Sequence, residues 1–449
     1  MLLLSCNVGS TAHLMDYAPA HLQFQVSQPR NRLRKEFDQI VLSNRFAICG
    51  ALLFGIFIPE LFHPFLSHSH GWAKAAFPGD TMLYVTGLAL LLAHLSLRQT
   101  FTLPFVDGKV MILPVFVMTF ASVALASGLL VSRTLTYYHL VTGFLGGSLW
   151  YLTLTLLTAR ISRQTVALIG VNTVSRDLLN SRITWVPWEH PLPTRSADAV
   201  VYDSNREYSP EWERFFARAV LRNIPVFDLN NFREMLIGRV QLRARPELVF
   251  GRLRPSQPYL RLKRGIDTFF ALVVLGPALA VMGVAALLVR LESPGPVIFA
   301  QKRVGYQRRI FTCYKLRTMH VGVTGPLYTE QDDPRITRIG RFLRKWRIDE
   351  LPQIFNVLKG EMSWIGPRPE ALRLARSYER AIPFYKYRHI VRPGISGWAA
   401  VHQGNVALED AATRKLEYDF YYIKYFSPWL DYVIALMTLR TIFNGVGSR

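Results

Sequence analysis

Two adjacent carboxylates, Asp349 and Glu350, interrupt a strongly basic stretch between residues 332 and 370. The stretch reads DDPRITRIGRFLRKWRIDELPQIFNVLKGEMSWIGPRPE and concentrates charged side chains around the acidic pair. The arginines are natural donors to phosphate oxygens. Two simpler interpretations give this pair no chemical role: it lies on an amphipathic helix whose acids balance its bases, or on a solvated surface. Adjacent helical residues point about 100° apart, so both carboxylates reach one site only at the edge or end of a helix, which Pro352 favours.

The cations around the acidic pair are candidate phosphate ligands. Arg344 and Arg341 precede the pair by a few residues. Arg368 lies between Pro367 and Pro369, whose fixed φ angles would present its guanidinium rigidly for bidentate phosphate binding. Each of these bases could instead face solvent or lipid headgroups. Less specific candidates for binding phosphate are Lys302, Arg303, Lys315 and Arg317.

Composition indicates a membrane protein with anionic partners. The chain has 449 residues, 50% of them hydrophobic, and a net charge of +22 from 53 Lys and Arg against 31 Asp and Glu. Clustered apolar content is typical of membrane segments, and a basic balance favours phosphates, nucleotides or acidic lipids as partners. Charge alone does not choose among these partners.

The first third of the chain predicts a cytosolic tail at 1–45 and a four-helix transmembrane bundle at 46–160. Each apolar stretch approaches the roughly 20 residues that cross a bilayer. Basic residues flank both ends of the bundle, which places both ends in the cytoplasm. Because no charged residue lies in the middle of a span, a transport pathway is not expected. The predicted spans are 46–62, 81–97, 110–131 and 138–158.

Residues 161–240 predict a small Rossmann-like α/β module. Strand candidates lie at 165–170, 197–203 and 224–229, with an amphipathic helix before the last of them. Gly170 ends the first strand, but the second and third glycines of a dinucleotide fingerprint are missing. We therefore expect a module that binds no nucleotide, or one that binds a regulator. A basic linker follows at 241–260.

The apolar segment at 265–290 is long enough to cross a membrane, but Gly276 and Pro277 lie near its middle. Proline removes a backbone donor and clashes with the preceding turn, so a kink or break is expected there. The segment is either a kinked spanning helix or two helices that enter and leave on the same face. Lys263, Arg264 and Asp267 precede it.

From about residue 261 onward the chain resembles the bacterial sugar transferase family of polyprenyl-phosphate phosphoglycosyl transferases, in its large form. The resemblance rests on the broken helix with its preceding charges, on LESPGPVIFAQKRVGYQRRIFTCYKLRTM at 291–319, on the acidic-pair stretch at 332–370 and on RPGISGWAAV at 392–401. It implies a catalytic domain at 261–449 whose helix at 265–290 is a re-entrant hairpin anchored by Lys263, Arg264 and Asp267, with Gly276 and Pro277 at the break. Asp419 matches an acidic position to which we assign no role.

The resemblance also implies a reaction: a sugar 1-phosphate moves from a UDP-sugar to undecaprenyl phosphate, releasing UMP, through a covalent aspartyl phosphosugar. It assigns the nucleophile to Asp349 and a Mg²⁺ ligand to Glu350, with Arg344 as a third catalytic residue. Such a step would begin exopolysaccharide, capsule or O-antigen synthesis. A non-catalytic membrane scaffold or regulator is the alternative, and an ordinary glycosyl transferase would release UDP instead of UMP.

These inferences predict a membrane protein of the α+β class. It combines a four-helix transmembrane bundle, a small Rossmann-like α/β module and a mainly α catalytic domain with a re-entrant membrane helix hairpin. The aromatic and basic segments after Glu370 predict amphipathic helices at the interface, with core helices as an alternative. The expected partners are a UDP-sugar, undecaprenyl phosphate and anionic phospholipids, and not nucleic acid, while the bundle could form a homodimer. The expected location is the bacterial inner membrane, multi-pass, with the catalytic domain on the cytoplasmic face.

Overall fold

A computed structural model describes residues 43–62, 79–101, 108–130, 138–161, 164–171, 183–191, 197–222, 224–242, 255–322, 333–403 and 409–443. Nearly all of the predicted tail at 1–45 and most of the predicted linker at 241–260 lie outside these residues. Within them, Ile161–Asn230 form one compact unit. The residues from 43 to 160 and from 231 onward form a second unit.

Four apolar helices begin the second unit, and they confirm the helices predicted there. Several glycines let these helices approach closely: a Cβ on Gly146 would lie 2.1 Å from the carbonyl oxygen of Phe54. Small residues at such crossings are typical of membrane helices. The helices are α1 (Asn44–Phe62), α2 (Gly79–Phe101), α3 (Gly108–Leu130) and α4 (Tyr138–Ile161).

Within the described residues, four helices are long and apolar enough to cross a membrane. Three of them lie in α1, α3 and α4, and the fourth is the 36-residue helix Gln257–Glu292. Helix α2, at the second predicted span, is not among these four. Leucine and valine side chains are exposed along these helices, as expected for surfaces that face lipid. The chain is therefore a membrane protein.

The first unit contains a parallel sheet in the order β2-β1-β3-β4. Three of its strands confirm the predicted ones, whereas β2, which contains Pro187, was not predicted. Proline is tolerated here because β2 lies at the edge of the sheet. The strands are β1 (Gln164–Ile169), β2 (Ile183–Trp188), β3 (Ala199–Tyr202) and β4 (Val226–Asp228), with helix α5 (Pro210–Leu221) before β4.

Tyr208 lies against the carboxyl end of β1, where parallel α/β sheets usually bind ligands. Its hydroxyl is 3.2 Å from the carbonyl oxygen of Ile169 and 3.0 Å from that of Asp203. Gly170 follows β1 with φ +71°, and a Cβ there would lie 2.6 Å from the Tyr208 hydroxyl. The Tyr208 hydroxyl therefore occupies the space directly beside Gly170 at the end of β1.

Helix α7 (Gln257–Glu292) continues through Pro277 as one element. The predicted hairpin, in which two helices enter and leave on the same face, is not shown. Pro277 removes a single backbone donor, so the hydrogen bonds of the surrounding residues continue the helix on both sides of it. Gly276 and Pro277 are both exposed.

One side of α7 is buried along nearly the whole helix, and the opposite side is an exposed apolar surface. The buried stripe runs from end to end and comprises Tyr259, Leu260, Lys263, Asp267, Ala271, Ala278, Met282, Ala285 and Val289. The exposed surface includes Leu262, Phe269, Phe270, Leu272, Val273, Leu279, Val284, Leu287 and Leu291. Helix α7 therefore lies along the carboxyl-terminal part of the second unit and presents an apolar face away from it.

The carboxyl-terminal part packs short strands and helices against the buried stripe of α7. Strands β5 (Ile298–Val304) and β6 (Ile310–Leu316) form an antiparallel hairpin, and β7 (Ser363–Ile365) pairs in parallel with β8 (Gly394–Ser396). The helices are α8 (Arg338–Lys345), α9 (Gln353–Lys359), α10 (Leu372–Ala381), α11 (Trp398–Gln403), α12 (Glu409–Lys424) and α13 (Pro428–Phe443).

Helix α12 is a core helix. Its aromatic side chains Phe420, Tyr421 and Tyr422 are buried, so the prediction of an interfacial helix is wrong for this segment and the alternative holds. Exposed aromatic side chains lie on α8 and α9, at Phe342 and Phe355, and after Glu370 at Phe384 and Tyr387. Helices α8 and α9 flank the acidic pair.

Helix α6 (Leu229–Ile237) and the residues after it are packed against α11 and α12. The indole nitrogen of Trp398 donates to the carbonyl of Gly238 at 2.6 Å, and the Val240 amide donates to the carbonyl of Glu417 at 3.1 Å. Lys424 pairs with Glu234. Residues 231–242 therefore act as part of the fold of the carboxyl-terminal part.

Two truncations test this role. A chain that lacks residues 1–242 loses the partner of the buried Trp398 indole, and an unpaired buried donor costs about 1–3 kcal/mol. We expect its melting temperature in detergent to lie roughly 5 °C or more below that of a chain lacking residues 1–230, given a few degrees per kcal/mol. Both chains lack the four amino-terminal helices, so equal melting temperatures would contradict the role of residues 231–242.

Candidate active site

The acidic pair lies in a tight 3₁₀ turn, Ile348–Glu350, between α8 and α9. Arg347 precedes this turn in the left-handed conformation, with φ 55° and ψ 23°, and Pro352 caps α9. A non-glycine residue in this region is uncommon and carries local strain. The turn places both carboxylates on one side of the fold, which confirms the prediction that the pair lies at a helix end.

Glu350 is surrounded by cations. The Lys315 ammonium is 2.8 Å from its Oε1, and Arg368 donates from both terminal nitrogens to its two oxygens. Arg347 lies 3.6 Å away. Burial opposes ionisation of Glu350, but Arg368 and Lys315 outweigh it and hold the pKa of this carboxyl well below its ordinary value. Glu350 is therefore a fixed negative charge.

Asp349 has a different environment although it is the next residue. Its side chain is buried, and its nearest ion-pair contact within the described chain is Lys315, with 4.0 Å between Nζ and Oδ2. Burial raises the pKa of the Asp349 carboxyl, and the Glu350 charge raises it further, against the opposing effects of Lys315 and Arg344. A carboxylate that is poorly solvated and weakly paired is a better nucleophile than one locked into hydrogen bonds.

Arg344 brings an unused donor to the same region. Its Nε donates to the Thr318 hydroxyl at 2.9 Å, whereas its Nη1 is buried and has no hydrogen-bond partner among the described residues. Burial lowers the pKa of Arg344 and the nearby Asp349 raises it, but an arginine stays charged in either case. Buried donors are nearly always satisfied, so this nitrogen fits an anionic ligand that is bound during function.

The segment Pro367–Arg368–Pro369 presents the Arg368 guanidinium to Glu350. Its backbone is held on several sides: the Gly394 amide donates to the Pro367 carbonyl at 3.1 Å, and Arg303 donates to the Pro369 carbonyl. The Arg368 side chain also donates to the Ile395 carbonyl at 3.1 Å. The rigid presentation predicted from the two prolines is supported by these contacts.

The remaining candidate residues lie elsewhere or serve the fold. Arg317 is buried and donates to the carbonyls of Ser293 and Pro294, at 2.6 and 3.0 Å, where it caps the end of α7. Arg303 holds the backbone of Pro369, as described above. Lys302 and Arg341 are exposed. The structure thus brings together Asp349, Glu350, Arg344, Lys315 and Arg368.

The three charged residues before the apolar segment attach α7 to the elements around the site. Lys263 pairs with Asp431 at 2.6 Å and lies 3.8 Å from Asp267. Arg264 donates to the carbonyls of Val357 and Leu358 at the end of α9. Because α9 directly follows the acidic turn, the position of α7 is linked to that of the carboxylate pair.

The site offers oxygen donors to a metal ion. Among the described residues, no group of three His, Cys, Asp and Glu side chains comes together. Magnesium, however, needs only one or two carboxylates when substrate phosphates supply further oxygens. Glu350 would be such a ligand, and both of its oxygens already accept from Arg368.

Sequence reasoning missed Arg388 and Thr318, which contact Arg368 and Arg344 respectively. Arg388 is a single arginine in an aromatic segment, FYKYRHI, and no spacing connects it to residue 368. Thr318 follows β6 in the LRTM segment. An arginine that is buried needs a partner, but its identity depends on the tertiary fold.

The opposite environments of the two carboxylates predict opposite effects on stability. Because the pKa of Asp349 is raised in the folded protein, its protonated carboxyl stabilises the fold at pH values below the ordinary aspartate pKa. This stabilisation is lost as the pH rises through the pKa that Asp349 has in the folded protein. At pH 7.5 the charge is therefore a cost, and Asp349→Asn should raise the melting temperature in detergent.

Glu350→Gln should lower the melting temperature under the same conditions. Its depressed pKa contributes stability above the ordinary glutamate pKa, and breaking a buried ion pair costs about 3–5 kcal/mol. The difference in melting temperature between this variant and the wild type should persist at pH 5.5 and become smaller only below about pH 4. Equal shifts in both variants would refute the contrast between the two carboxyls.

Comparisons with known proteins agree with the position of this site. The model of the family described as bacterial sugar transferase matches residues 258–445. This range contains all but the first residue of α7 and the entire site, so the match covers the structural part in which the charged residues meet.

Three relatives illustrate the similarity. The chain is 49% identical over 255 residues to the UDP-N-acetylgalactosamine-undecaprenyl-phosphate N-acetylgalactosaminephosphotransferase of Aeromonas hydrophila, covering 56% of this chain and 60% of the relative. It is 40% identical over 192 residues to the UDP-glucose:undecaprenyl-phosphate glucose-1-phosphate transferase of Escherichia coli K12, covering 42% and 41%. It is 40% identical over 201 residues to the exopolysaccharide production protein PSS of Rhizobium leguminosarum bv. phaseoli, covering 42% and 96%.

The chain thus spans less than two thirds of the length of the first two relatives and nearly all of the third. The range matched by the family model contains the acidic turn, the Pro367–Arg368–Pro369 segment and all but the first residue of α7. On this basis, the chain belongs to the bacterial sugar transferase family.

Proposed function

We propose that the chain transfers a sugar 1-phosphate from a UDP-sugar to undecaprenyl phosphate and releases UMP, through a covalent phosphosugar on Asp349. The observation that carries this proposal is the contrast within the acidic pair. Asp349 is a weakly paired carboxylate beside a fixed anion, Glu350, and both lie among Lys315, Arg344 and Arg368. The names of the relatives support the same reaction and acceptor.

The first half of the reaction breaks the diphosphate bond of the UDP-sugar. An Asp349 oxygen attacks the phosphorus attached to the sugar, a new P–O bond forms to the carboxylate, and the bond to UMP breaks with its electrons on the UMP oxygen. Lys315 and the unused Nη1 of Arg344 would bind phosphate oxygens as charge moves. Glu350 would hold a magnesium ion, which when bound supplies positive charge to the diphosphate.

The second half returns Asp349 to its starting state. A phosphate oxygen of undecaprenyl phosphate attacks the same phosphorus, and the bond between the phosphorus and Asp349 breaks, releasing a lipid-linked diphosphate sugar. Dividing the transfer in two means that two polyanionic substrates need not occupy the site at once. Glu350 remains ionised throughout, because its pKa lies far below neutral, and it keeps Arg368 in place.

The position of α7 supports a domain that rests on one membrane face. The helix contacts polar elements such as β6 and α8 near one end and α9 near the other. A helix that crossed the membrane would carry these strands and charges into hydrocarbon, where unpaired backbone and ions are not tolerated. We therefore propose a re-entrant or in-plane arrangement at the cytoplasmic face, where soluble nucleotide sugars and the lipid phosphate meet.

The identity of the nucleotide product tests the reaction. Membranes containing the protein are incubated with undecaprenyl phosphate, magnesium and UDP-N-acetylgalactosamine, UDP-glucose or UDP-galactose. N-acetylgalactosamine comes first because the relative that matches over 255 residues carries this sugar in its name. We expect UMP with at least one donor. Release of UDP would indicate an ordinary glycosyl transferase, and no product with any donor would favour the scaffold alternative.

Asp349→Asn should reduce UMP release by about 10⁴-fold or more, because an amide is a poor nucleophile. The matched control is Asp333→Asn, which changes another buried carboxyl in the same way. Asp333 pairs with Arg335 at 2.6 Å and should retain most activity when neutralised. Similar losses in both variants would contradict the assignment of the nucleophile.

Cysteine accessibility tests the arrangement of α7. Leu262 and Leu291 are exposed near its two ends, so each is replaced by cysteine in a chain whose native cysteines are serine. We expect an impermeant maleimide to label both positions in inverted membrane vesicles and neither in intact spheroplasts. Ser69→Cys, in the loop predicted to face away from the cytoplasm, should show the reverse. Labelling of the two α7 positions from opposite sides would indicate a spanning helix.

A further inference from the structure

Arg388 is a fully buried cation that contacts the backbone of the active-site segment. It lies in a 3₁₀ segment, Tyr385–Ile390, and its residue is 2% exposed. Its Nη2 donates to the carbonyl of Arg368 at 2.9 Å. It is not among the candidate residues predicted from the sequence, and the proposed transfer mechanism does not use it.

Asp419 fixes the orientation of Arg388. Its Oδ2 accepts from the Nε of Arg388 at 2.9 Å and lies 2.7 Å from Nη2, and Asp419 is itself 1% exposed. Nη1 of Arg388 donates to the Tyr385 hydroxyl at 3.0 Å. All three nitrogens of the guanidinium therefore have a partner, and one of them ties α12 to the Pro367–Arg368–Pro369 segment.

A second buried ion pair lies beside the first. Lys415 of α12 pairs with Glu370, which directly follows Pro369. Although burial opposes ionisation, Lys415 and Arg388 lower the pKa of Glu370 to about 2. The Val304 amide donates to the Glu370 carbonyl at 3.2 Å. The segment that presents Arg368 is thus held from α12 and from β5.

Three glycines close the other side of the same segment. A Cβ on Gly366 would lie 2.3 Å from the Arg392 carbonyl oxygen, and one on Gly397 would lie 2.1 Å from the Gly366 carbonyl oxygen. A Cβ on Gly394 would lie 2.1 Å from the Gly366 amide. The backbone therefore has no free space in which to move away from Arg388 on this side.

We propose that Arg388, oriented by Asp419, is a positioning residue for the transfer reaction: it fixes the Arg368 backbone and so sets where the Arg368 guanidinium meets Glu350. This inference rests on the proposed function for its effect on turnover. A buried arginine suits the task because its planar fork can donate in three directions at once, whereas a lysine ammonium at the same place cannot span Asp419 and the Arg368 carbonyl.

The test compares Arg388→Lys with Tyr385→Phe in the full-length protein. Each removes a hydrogen bond of Arg388, but only the first removes the one to Arg368. We expect Arg388→Lys to lower kcat/KM by about 10- to 100-fold, since a displacement of about 1 Å can cost 100-fold, while Tyr385→Phe stays within about threefold of wild type. Asp419→Asn, a second variant, should follow Arg388→Lys.

A double-mutant cycle on melting temperature separates positioning from general loss of packing. Glu350→Gln is added to wild type, to Arg388→Lys and to Tyr385→Phe. If Arg388 sets the contact between Arg368 and Glu350, the fall in melting temperature caused by Glu350→Gln should be at least halved in the Arg388→Lys background. In the Tyr385→Phe background the same fall should be unchanged. Independent sites would give additive shifts.

Additive shifts, or equal activity of Arg388→Lys and Tyr385→Phe, would overturn the positioning role. The cycle does not depend on the identity of the reaction. If wild-type protein gave no UMP with any donor, the proposed function would fail while the melting temperatures still decided whether Arg388 positions Arg368.

Discussion

The double hydrogen bond between Arg368 and Glu350 is the interaction on which the site depends. It joins the turn between α8 and α9 to the Pro367–Arg368–Pro369 segment, which comes from a different part of the fold. Lys315 places a second positive charge beside Glu350, at 2.8 Å. Asp349 can then remain a poorly solvated, weakly paired carboxylate, because the carboxylate at its side is paired. Two unpaired neighbouring acids in a low-dielectric site would not both ionise.

Helix α7 and the charged site are connected by several side-chain contacts. Arg264 holds the end of α9, Arg317 of the LRTM segment caps the far end of α7, and Glu292 accepts from the Ile339 amide at the start of α8. Both helices that flank the acidic turn are therefore attached to α7. The charged site is thereby attached to the buried side of a helix whose opposite side is an exposed apolar surface.

The sequence predicted those features that depend on local chemistry. Pro352 indicated a helix start beside the acidic pair, and the two prolines around Arg368 indicated a rigid segment. Features that depend on tertiary contacts were not predictable: Arg317 is as basic as Lys315, yet nearby carbonyls of α7 take its donors. Arg388 and Asp419 are 31 residues apart and meet only in the fold. Pro277 indicated a break, but α7 continues through it.

The division of roles within the acidic pair is tested most directly by locating the covalent intermediate. Protein mixed with a UDP-sugar and magnesium, but without undecaprenyl phosphate, is quenched in acid, digested and analysed by tandem mass spectrometry. The account predicts a phosphosugar on the peptide that contains the pair, with the fragment ions assigning it to Asp349. A phosphosugar on Glu350 or on another residue, or UMP release with no adduct on the protein, would contradict it.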